Sequence, residues 1–433
     1  MGFFIRKDYI SVDGRKKQTN TKAPHDFTKP KTVAIPLKHM NFENFEVFVQ
    51  VGDKVKIGTK LAERNDHFKM PIFATVSGTV TAIEKRDHVA LRKVDHVVIE
   101  NDFLDETDPH FTPIEHLSSL SEAELREKLQ GEGVQGLGGA AFPTYAKFSD
   151  VDKIQEILIN GVECEPYLTA DEANMEYATE YLMSAANAIR IGAGAKKCVI
   201  AVKETKKTVI DAINKLMSKY QNIELRLVPD LYPMGWERRL IKEIYGKSYD
   251  KLPIEIGIVV LNSSTAIEFA RTLKTGLPMY EKIVTIGGEG IAKPQNVRVR
   301  VGTILSDILT EIGGYNKDVN IKSARLVHGG PMMGESVITD NLSVTQTTGG
   351  FLCLYERDQP ADPCSKCGTC VDHCPKGLQP VQIALALKAK SKDMLATLGA
   401  TECIECGMCS YVCPSNIDVT DATSKAKKLM LTK

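Results

Sequence analysis

No apolar stretch in this 433-residue chain is long enough to cross a bilayer, so any membrane association is expected to come only through a partner. Charge of one sign is missing as well: 55 Lys and Arg balance 55 Asp and Glu, and no basic run stands out. That removes the electrostatic case for nucleic acid, which needs a basic face. The chain opens with no charged-then-apolar segment of the secretory kind, which points to a reducing cytoplasm and against disulfides. The glycine-rich stretch Gly136–Lys147 fits neither the G-x-G-x-x-G fingerprint after a strand nor the G-x4-G-K-[ST] phosphate loop, and no Ser/His/Asp grouping suggests nucleophilic catalysis. No catalytic acid, base or nucleophile is therefore expected. The length exceeds what one core usually organises, so two to four domains are expected.

What is present is cysteine in a repeated pattern. Cys364, Cys367, Cys370 and Cys374 read C-x2-C-x2-C-x3-C before Pro375, and Cys403, Cys406, Cys409 and Cys413 read the same before Pro414. Three thiolates on one tight loop can hold three irons of a [4Fe–4S] cube, and the fourth iron needs a thiolate from elsewhere. In two-cluster ferredoxins the last Cys of each run serves the other cluster. That rule assigns Cys364, Cys367, Cys370 and Cys413 to one cube, and Cys403, Cys406, Cys409 and Cys374 to the second. Structural zinc sites pair two short hairpins, a scheme that leaves the third and fourth cysteines of each run unexplained. Cys164, Cys198 and Cys353 lie outside both runs, Cys198 in an apolar strand where it reads as core.

Upstream, residues 1–30 are polar and carry no sustained period, as in an extended arm. Residues 31–115 hold short β-type runs broken by turns, among them Val33–Leu37, Val47–Val51 and Gly78–Ile83. The phrases Val51–Leu61 and Ser77–Val80 resemble the barrel-sandwich fold of biotinyl and lipoyl carriers. A carrier needs a Lys at a free hairpin tip, and only Phe68-Lys69-Met70 occupies that stretch, so a β module without a prosthetic group is expected.

Residues 116–278 read as α/β. Ser121 and Glu124 form a capping-box pattern for a helix starting near Ser119. Gly136-Leu137-Gly138-Gly139-Ala140-Ala141-Phe142 then offers bare backbone N–H groups to an anion, with Lys147 downstream to neutralise it. A buried strand over Ile154–Ile159 leads into Asn160-Gly161-Val162-Glu163-Cys164-Glu165-Pro166, placing an amide and two carboxylates at a strand's C-terminal end, where open α/β sheets bind ligands. Periodicity predicts helices over Glu176–Ile191 and Thr208–Tyr220 and strands over Cys198–Val202, Ile223–Val228 and Ile256–Leu261. Residues 279–345 return to β runs around a helix at Leu305–Ile312 and end near Gly329-Gly330-Pro331-Met332-Met333-Gly334; residues 346–433 carry the cysteines.

The glycine loop, the phrase after Asn160, Tyr232-Pro233-Met234-Gly235-Trp236-Glu237 and the paired cysteine runs together resemble the C-subunit family of the Rnf electron-transport complex, over about residues 30–420. They are similar as well to the FMN- and NADH-binding subunit of respiratory complex I. The resemblance implies a barrel-sandwich β domain, a complex I-type FMN-binding α/β domain, a ubiquitin-like (SLBB) β-grasp module and a helical bacterial-type ferredoxin domain with two [4Fe–4S] clusters. It implies that Gly136, Gly138, Gly139, Ala140, Phe142 and Lys147 cradle FMN. Asn160, Glu163 and Glu165 would line the flavin and nicotinamide side, Gly235 and Glu237 would approach from the other face, and Asn262 and Thr265 would meet the flavin phosphate. Cys164 would lie beside the flavin without ligating metal.

Such a chain would take hydride from NADH and deliver single electrons through the clusters to a redox partner protein. That partner would be either other Rnf-type subunits, with the chain peripheral on the cytoplasmic face of the membrane, or a soluble reductase of the proline or cobalamin reductase kind. The segment around Ala23-Pro24-His25 replaces the glycine- and His-Pro-containing opening usual in membrane-complex members, which keeps the soluble alternative open. An iron–sulfur carrier or scaffold without flavin is the alternative from another class. The crossed assignment makes a distinct prediction: Cys413→Ala should deplete the cluster built on Cys364, Cys367 and Cys370. Loss of the other cluster, read by electron paramagnetic resonance, would reverse the pairing.

Overall fold

The computed structural model describes residues 9–321, 323–355 and 360–432. Its largest core surrounds a four-stranded, all-parallel sheet in the order Ile223–Val228, Lys197–Lys203, Glu156–Gly161, Ile258–Asn262. The central strands are almost wholly apolar because helices cover both faces, as parallel sheets require. The chain enters at Glu156–Gly161, builds outward in one direction, then returns to lay Ile258–Asn262 on the other side. The strand order therefore reverses between these two, and a crevice opens beyond their C-terminal ends. Asn160 and Asn262 are register partners across it.

Local signals place the flanking pieces. Ser121 caps the helix Glu122–Gly131 by the expected reciprocal bonds with Glu124, a few residues beyond the start that periodicity suggests. The single helix expected over Glu176–Ile191 is instead two, Ala170–Tyr177 and Thr179–Gly192, broken at Ala178. Thr179 turns its hydroxyl back onto the Met175 carbonyl at 2.6 Å, a local bond that competes with regular helix.

The barrel-sandwich module packs one sheet (Thr32–Pro36, Arg92–Asn101, Gly78–His88, Lys54–Val55) against another (Glu46–Val47, Lys60–Asn65, Lys69–Phe73) around Val33, Leu61, Val76, Val80 and Ile99. Of the expected Val47–Val51 strand only Val47 is β, as the second residue of the short strand Glu46–Val47, and Phe48 and Val51 are exposed. Lys69 opens a strand rather than capping a free tip. The hairpin end beside it is docked, with the Phe68 ring edge-on to Phe142 at 5.6 Å and the Lys69 amide donating to the Tyr145 hydroxyl at 3.2 Å.

The third module is a six-stranded sheet in the order His25–Phe27, Gln295–Arg300, Glu281–Gly287, Gly350–Tyr355, Ala324–His328, Glu335–Val337, with the helix Leu305–Ile312 packed on it. It reaches past residue 345, the limit expected from sequence, because Gly350–Tyr355 is an apolar strand that fits between two others. It also recruits the N-terminal segment. The first eight residues of the expected arm lie outside the described residues. Those that follow are docked rather than free: Ile10 and Tyr232 exchange backbone bonds at 2.9 and 2.8 Å, and His25–Phe27 runs parallel to Val297–Val299.

In the cysteine module the repeat is visible in the backbone. Lys366 and Glu405, each just before a second cysteine, are left-handed (φ 58° and 55°), as are the glycines that follow, Gly368 and Gly407. Each glycine starts a short helix, Thr369–Asp372 or Met408–Tyr411, that carries the third cysteine. Helices Pro380–Lys388, Lys392–Thr397 and Val419–Leu431 enclose a small core of Ile383, Leu395 and Ala426. With so little else to bury, Ile383→Ala should cost about 2–5 kcal/mol, seen as earlier loss of cluster absorbance on heating.

Candidate functional site: a flavin-type crevice beside a buried cysteine loop

The glycine loop closes on itself through the Gly136 amide and the Phe142 carbonyl (2.9 Å), leaving Gly138, Gly139 and Ala140 exposed at its tip. It is tied to the helix Ser263–Thr275, where Thr265 Oγ1 accepts from the Leu137 amide at 2.9 Å. A Cβ at Gly138 would lie 3.5 Å from the Asn262 side chain, so loop and helix start form one wall. Asn262 caps that helix, its Oδ1 accepting from the Thr265 amide at 3.2 Å. Its Nδ2 donates to Asp171 Oδ2 at 2.8 Å, and Ser264 donates to the other Asp171 oxygen at 2.6 Å. Burial raises the pKa of the Asp171 carboxyl, and Glu163 raises it further.

Across the crevice, Asn160 donates from Nδ2 to the Gly235 carbonyl at 2.9 Å and accepts the Val162 amide at 3.0 Å. Gly235 has no room for a side chain: a Cβ would stand 2.4 Å from the Val162 carbonyl and 3.0 Å from Cys164 Sγ. Glu237 begins the next helix and accepts from the Tyr249 hydroxyl at 2.7 Å. Lys147 turns its ammonium onto the Val260 carbonyl at 2.7 Å; burial lowers its pKa, with Glu237 opposing. Glu163 accepts from the Asp171 amide at 3.1 Å, and its other oxygen has no hydrogen-bond partner, with the Lys16 ammonium 3.8 Å away.

Glu165 goes elsewhere. Its carboxyl is carried to the junction of three modules, where it takes the Met332 amide at 3.1 Å and faces the Tyr232 hydroxyl at 3.4 Å. A Cβ on Gly330 would meet Glu165 Oε2 at 2.0 Å, which accounts for a glycine in the Gly-Gly-Pro-Met-Met-Gly turn. Tyr232 also donates to the Cys406 carbonyl at 2.7 Å, and Gly407 packs so closely under Met332 that a Cβ would sit 2.8 Å from its carbonyl. Tyr232, Cys406 and Met408 form one small apolar cluster, packed by Ile10, Cys164 and Met332.

Cys374, Cys403, Cys406 and Cys409 line a single cavity with Pro375 and Thr420. The thiols of Cys374 and Cys403 are among the groups that push the Cys406 and Cys409 thiols up, to about 12 and about 11, after burial. Cys364 and Cys367 are exposed and Cys370 is buried beside them. The stretch after Cys413 is tied to the start of that loop, Asp362 donating to the Ser415 carbonyl at 3.0 Å and Ser415 to the Pro363 carbonyl at 3.2 Å. Among the described residues no three His, Cys, Asp or Glu side chains converge as on a single metal ion.

Of the residues read from sequence, the structure brings Gly138, Asn262 and Thr265 together on one wall and Asn160 with Gly235 on another. It takes Glu165 to the module junction. Sequence reading missed Asp171 and Lys16, neither of which carries a motif. It also missed Lys282, whose pKa burial lowers to about 7 and whose ammonium donates to the Gln346 carbonyl at 2.6 Å.

Fold and site together define a flavin- and iron–sulfur-dependent oxidoreductase component. Four family models match in chain order: the RnfC barrel sandwich hybrid domain (residues 7–104), the Nuo51 FMN-binding domain (129–271), the SLBB domain (283–336) and the 4Fe-4S dicluster domain (363–417). The chain is 34% identical to the C subunit of the Na(+)-translocating ferredoxin:NAD(+) oxidoreductase complex of Acetobacterium woodii, over 85% of this chain and 84% of that one. It is 30% identical to the C subunit of the proton-translocating ferredoxin:NAD(+) oxidoreductase complex of Clostridium ljungdahlii, over 87% and 83%. It is 31% identical to the C subunit of the ion-translocating oxidoreductase complex of Rhodobacter capsulatus, over 86% and 72%. The chain belongs to this family of Rnf complex C subunits. Its fold is shared with a chain of an NAD+-reducing [NiFe]-hydrogenase, at a TM-score of 0.50 and 17% identity, over 73% of this chain and 62% of that one.

Burial lifts the Glu165 carboxyl from 4.5 to about 7. The folded chain thus holds this proton more tightly than the unfolded chain, so its stabilising contribution is complete below the unfolded value and lost as pH rises through the folded one. Glu165→Gln should therefore gain stability over the parent between about pH 5 and about pH 8, by on the order of 1–3 kcal/mol, in paired denaturation curves.

Proposed function

We infer that this chain exchanges electrons with NADH through FMN and two [4Fe–4S] clusters, as the C subunit of an Rnf-type ferredoxin:NAD oxidoreductase. The observation that carries this reading is the shared wall: the crevice at the sheet's switch point and the partly buried loop of Cys403–Cys409 meet through Tyr232 and Cys406.

The residues present fit the cofactors. At the helix start beside the glycine loop, Ser263 Oγ is buried with no hydrogen-bond partner, and across the crevice Glu163 Oε2, 3.8 Å from the Lys16 ammonium, accepts no hydrogen bond, so both can serve a ligand. A helix N-terminus next to exposed glycine amides suits a phosphate. Four thiols around one cavity suit a cube. When bound, FMN supplies the conversion between two-electron hydride chemistry and the one-electron chemistry of the clusters.

Gly136, Gly138, Gly139, Ala140 and Phe142 shape the cradle, Lys147 offers charge, and Asn262 and Thr265 hold the phosphate. Asn160 and Glu163 fix the flavin and nicotinamide side, Glu165 backs that side from the module junction, and Gly235 and Glu237 approach from the opposite face. Cys364, Cys367, Cys370 and Cys413 hold one cluster, and Cys403, Cys406, Cys409 and Cys374 the other. No side chain needs to act as acid, base or nucleophile. The partners are the other members of such a complex. Among the described residues no helix is long and apolar enough to cross a membrane. The place proposed for the chain is peripheral, on the cytoplasmic face, held by those partners.

The test is an anaerobic NADH titration of the purified, cluster-loaded chain. Flavin absorbance should bleach on adding NADH, with about eight irons per chain as two cubes require. Iron without flavin or any response to NADH would leave only an electron carrier.

A further inference from the structure

The N-terminal segment carries no motif, yet it places a buried ammonium against the loop that leaves the central strand. Lys16 Nζ donates to the Glu165 carbonyl at 2.9 Å and to the Leu168 carbonyl, and lies 3.8 Å from Glu163 Oε2. Both side chains are about nine-tenths buried, at 10% exposure each. The surrounding segment is fastened along the same loop: the Tyr167 amide donates to the Gly14 carbonyl at 2.7 Å, Thr19 and Thr169 share a hydroxyl bond of 2.7 Å, and Asn20 reaches Glu172 at 3.4 Å.

Two other lysines lie close, but each has its own carboxylate. Lys203 pairs with Asp230 at 2.5 Å and Lys206 pairs with Glu172. That leaves Glu163 to Lys16. Glu163 Oε1 is held by the Asp171 amide, while Oε2 has no hydrogen-bond donor. A buried carboxylate oxygen with a cation near but no donor bound calls for an explanation, and a donor from outside the chain supplies one.

We propose that Lys16 is a positioning residue of the nucleotide site: it clamps the loop Val162–Thr169 and holds Glu163 so that Oε2 can accept a hydrogen bond from the bound nicotinamide nucleotide. This rests on the NADH reading above and assigns to the N-terminal segment a part in the site. The Lys16 ammonium acts through Glu163 and the two carbonyls and does not touch the reacting atoms.

The test uses the full chain loaded with FMN and clusters, in the parent and in Lys16→Gln, Lys16→Arg, Glu163→Gln and Lys17→Met, Lys17 being exposed on the same turn. NAD+ binding is measured by equilibrium titration, KM and kcat for NADH separately, and amide exchange over residues 162–169 by mass spectrometry. Lys16→Gln should weaken NAD+ binding and raise KM about tenfold with kcat changed less than threefold, and should speed exchange in the loop. Lys16→Arg should recover only part of the affinity, Lys17→Met should match the parent, and adding Glu163→Gln to Lys16→Gln should weaken binding little further, since the two act as one unit. If Lys16→Gln failed to retain FMN, faster loop exchange in Lys16→Arg together with an intermediate affinity would support the proposal, and parental values of both would overturn it. A parent that responds to NADH alongside a Lys16→Gln with unchanged affinity and exchange overturns this proposal alone. A parent that takes up no flavin and ignores NADH overturns the functional reading and this proposal with it.

Discussion

The pairing of Glu156–Gly161 with Ile258–Asn262 is the constraint on which the site depends. It joins the first strand of the flavin-type sheet to the last, so the strand order reverses between them and their C-terminal ends cannot be bridged by a connection. The resulting gap is flanked by two asparagines in register. One binds back to Gly235 and the other caps the helix that backs the glycine loop. A slip of one residue between these strands would take the two asparagines out of register and separate the walls they anchor.

A second constraint is the junction around Glu165. A carboxyl with little access to water needs donors, and it finds the Met332 amide and the Tyr232 hydroxyl, which in turn bonds Cys406. The ubiquitin-like turn, the flavin-type domain and one cysteine loop are thereby fixed around a single polar cluster. At Gly407 the Met332 backbone approaches more closely than a side chain allows, and at Gly330 the Glu165 side chain fills the space a Cβ would need. Such a junction is what an electron relay requires, because its carriers must stay a short and constant distance apart.

Much of this was legible in advance where the signal is local. The cysteine spacing dictates loop geometry directly, and the structure repeats even the left-handed residues at Lys366 and Glu405. The capping pair Ser121 and Glu124, the apolar central strands and the glycine loop were readable for the same reason: each is decided within a few residues. Glu165 was placed with the flavin-lining residues, yet the turn that captures its side chain lies far away in the chain, at Met332.

The sequence by itself determined the chemistry this protein is equipped for: eight cysteines in two ferredoxin-type runs, a glycine loop, and amides and carboxylates at strand ends. Only the tertiary structure decided how these parts face one another. It put Asp171 behind Asn262 and the motifless Lys16 against a loop 149 residues downstream. The physical reason is range. Backbone turns and strand patterns are encoded by neighbours, whereas a buried ammonium or carboxyl is placed by whichever partners the packed modules bring within hydrogen-bond reach.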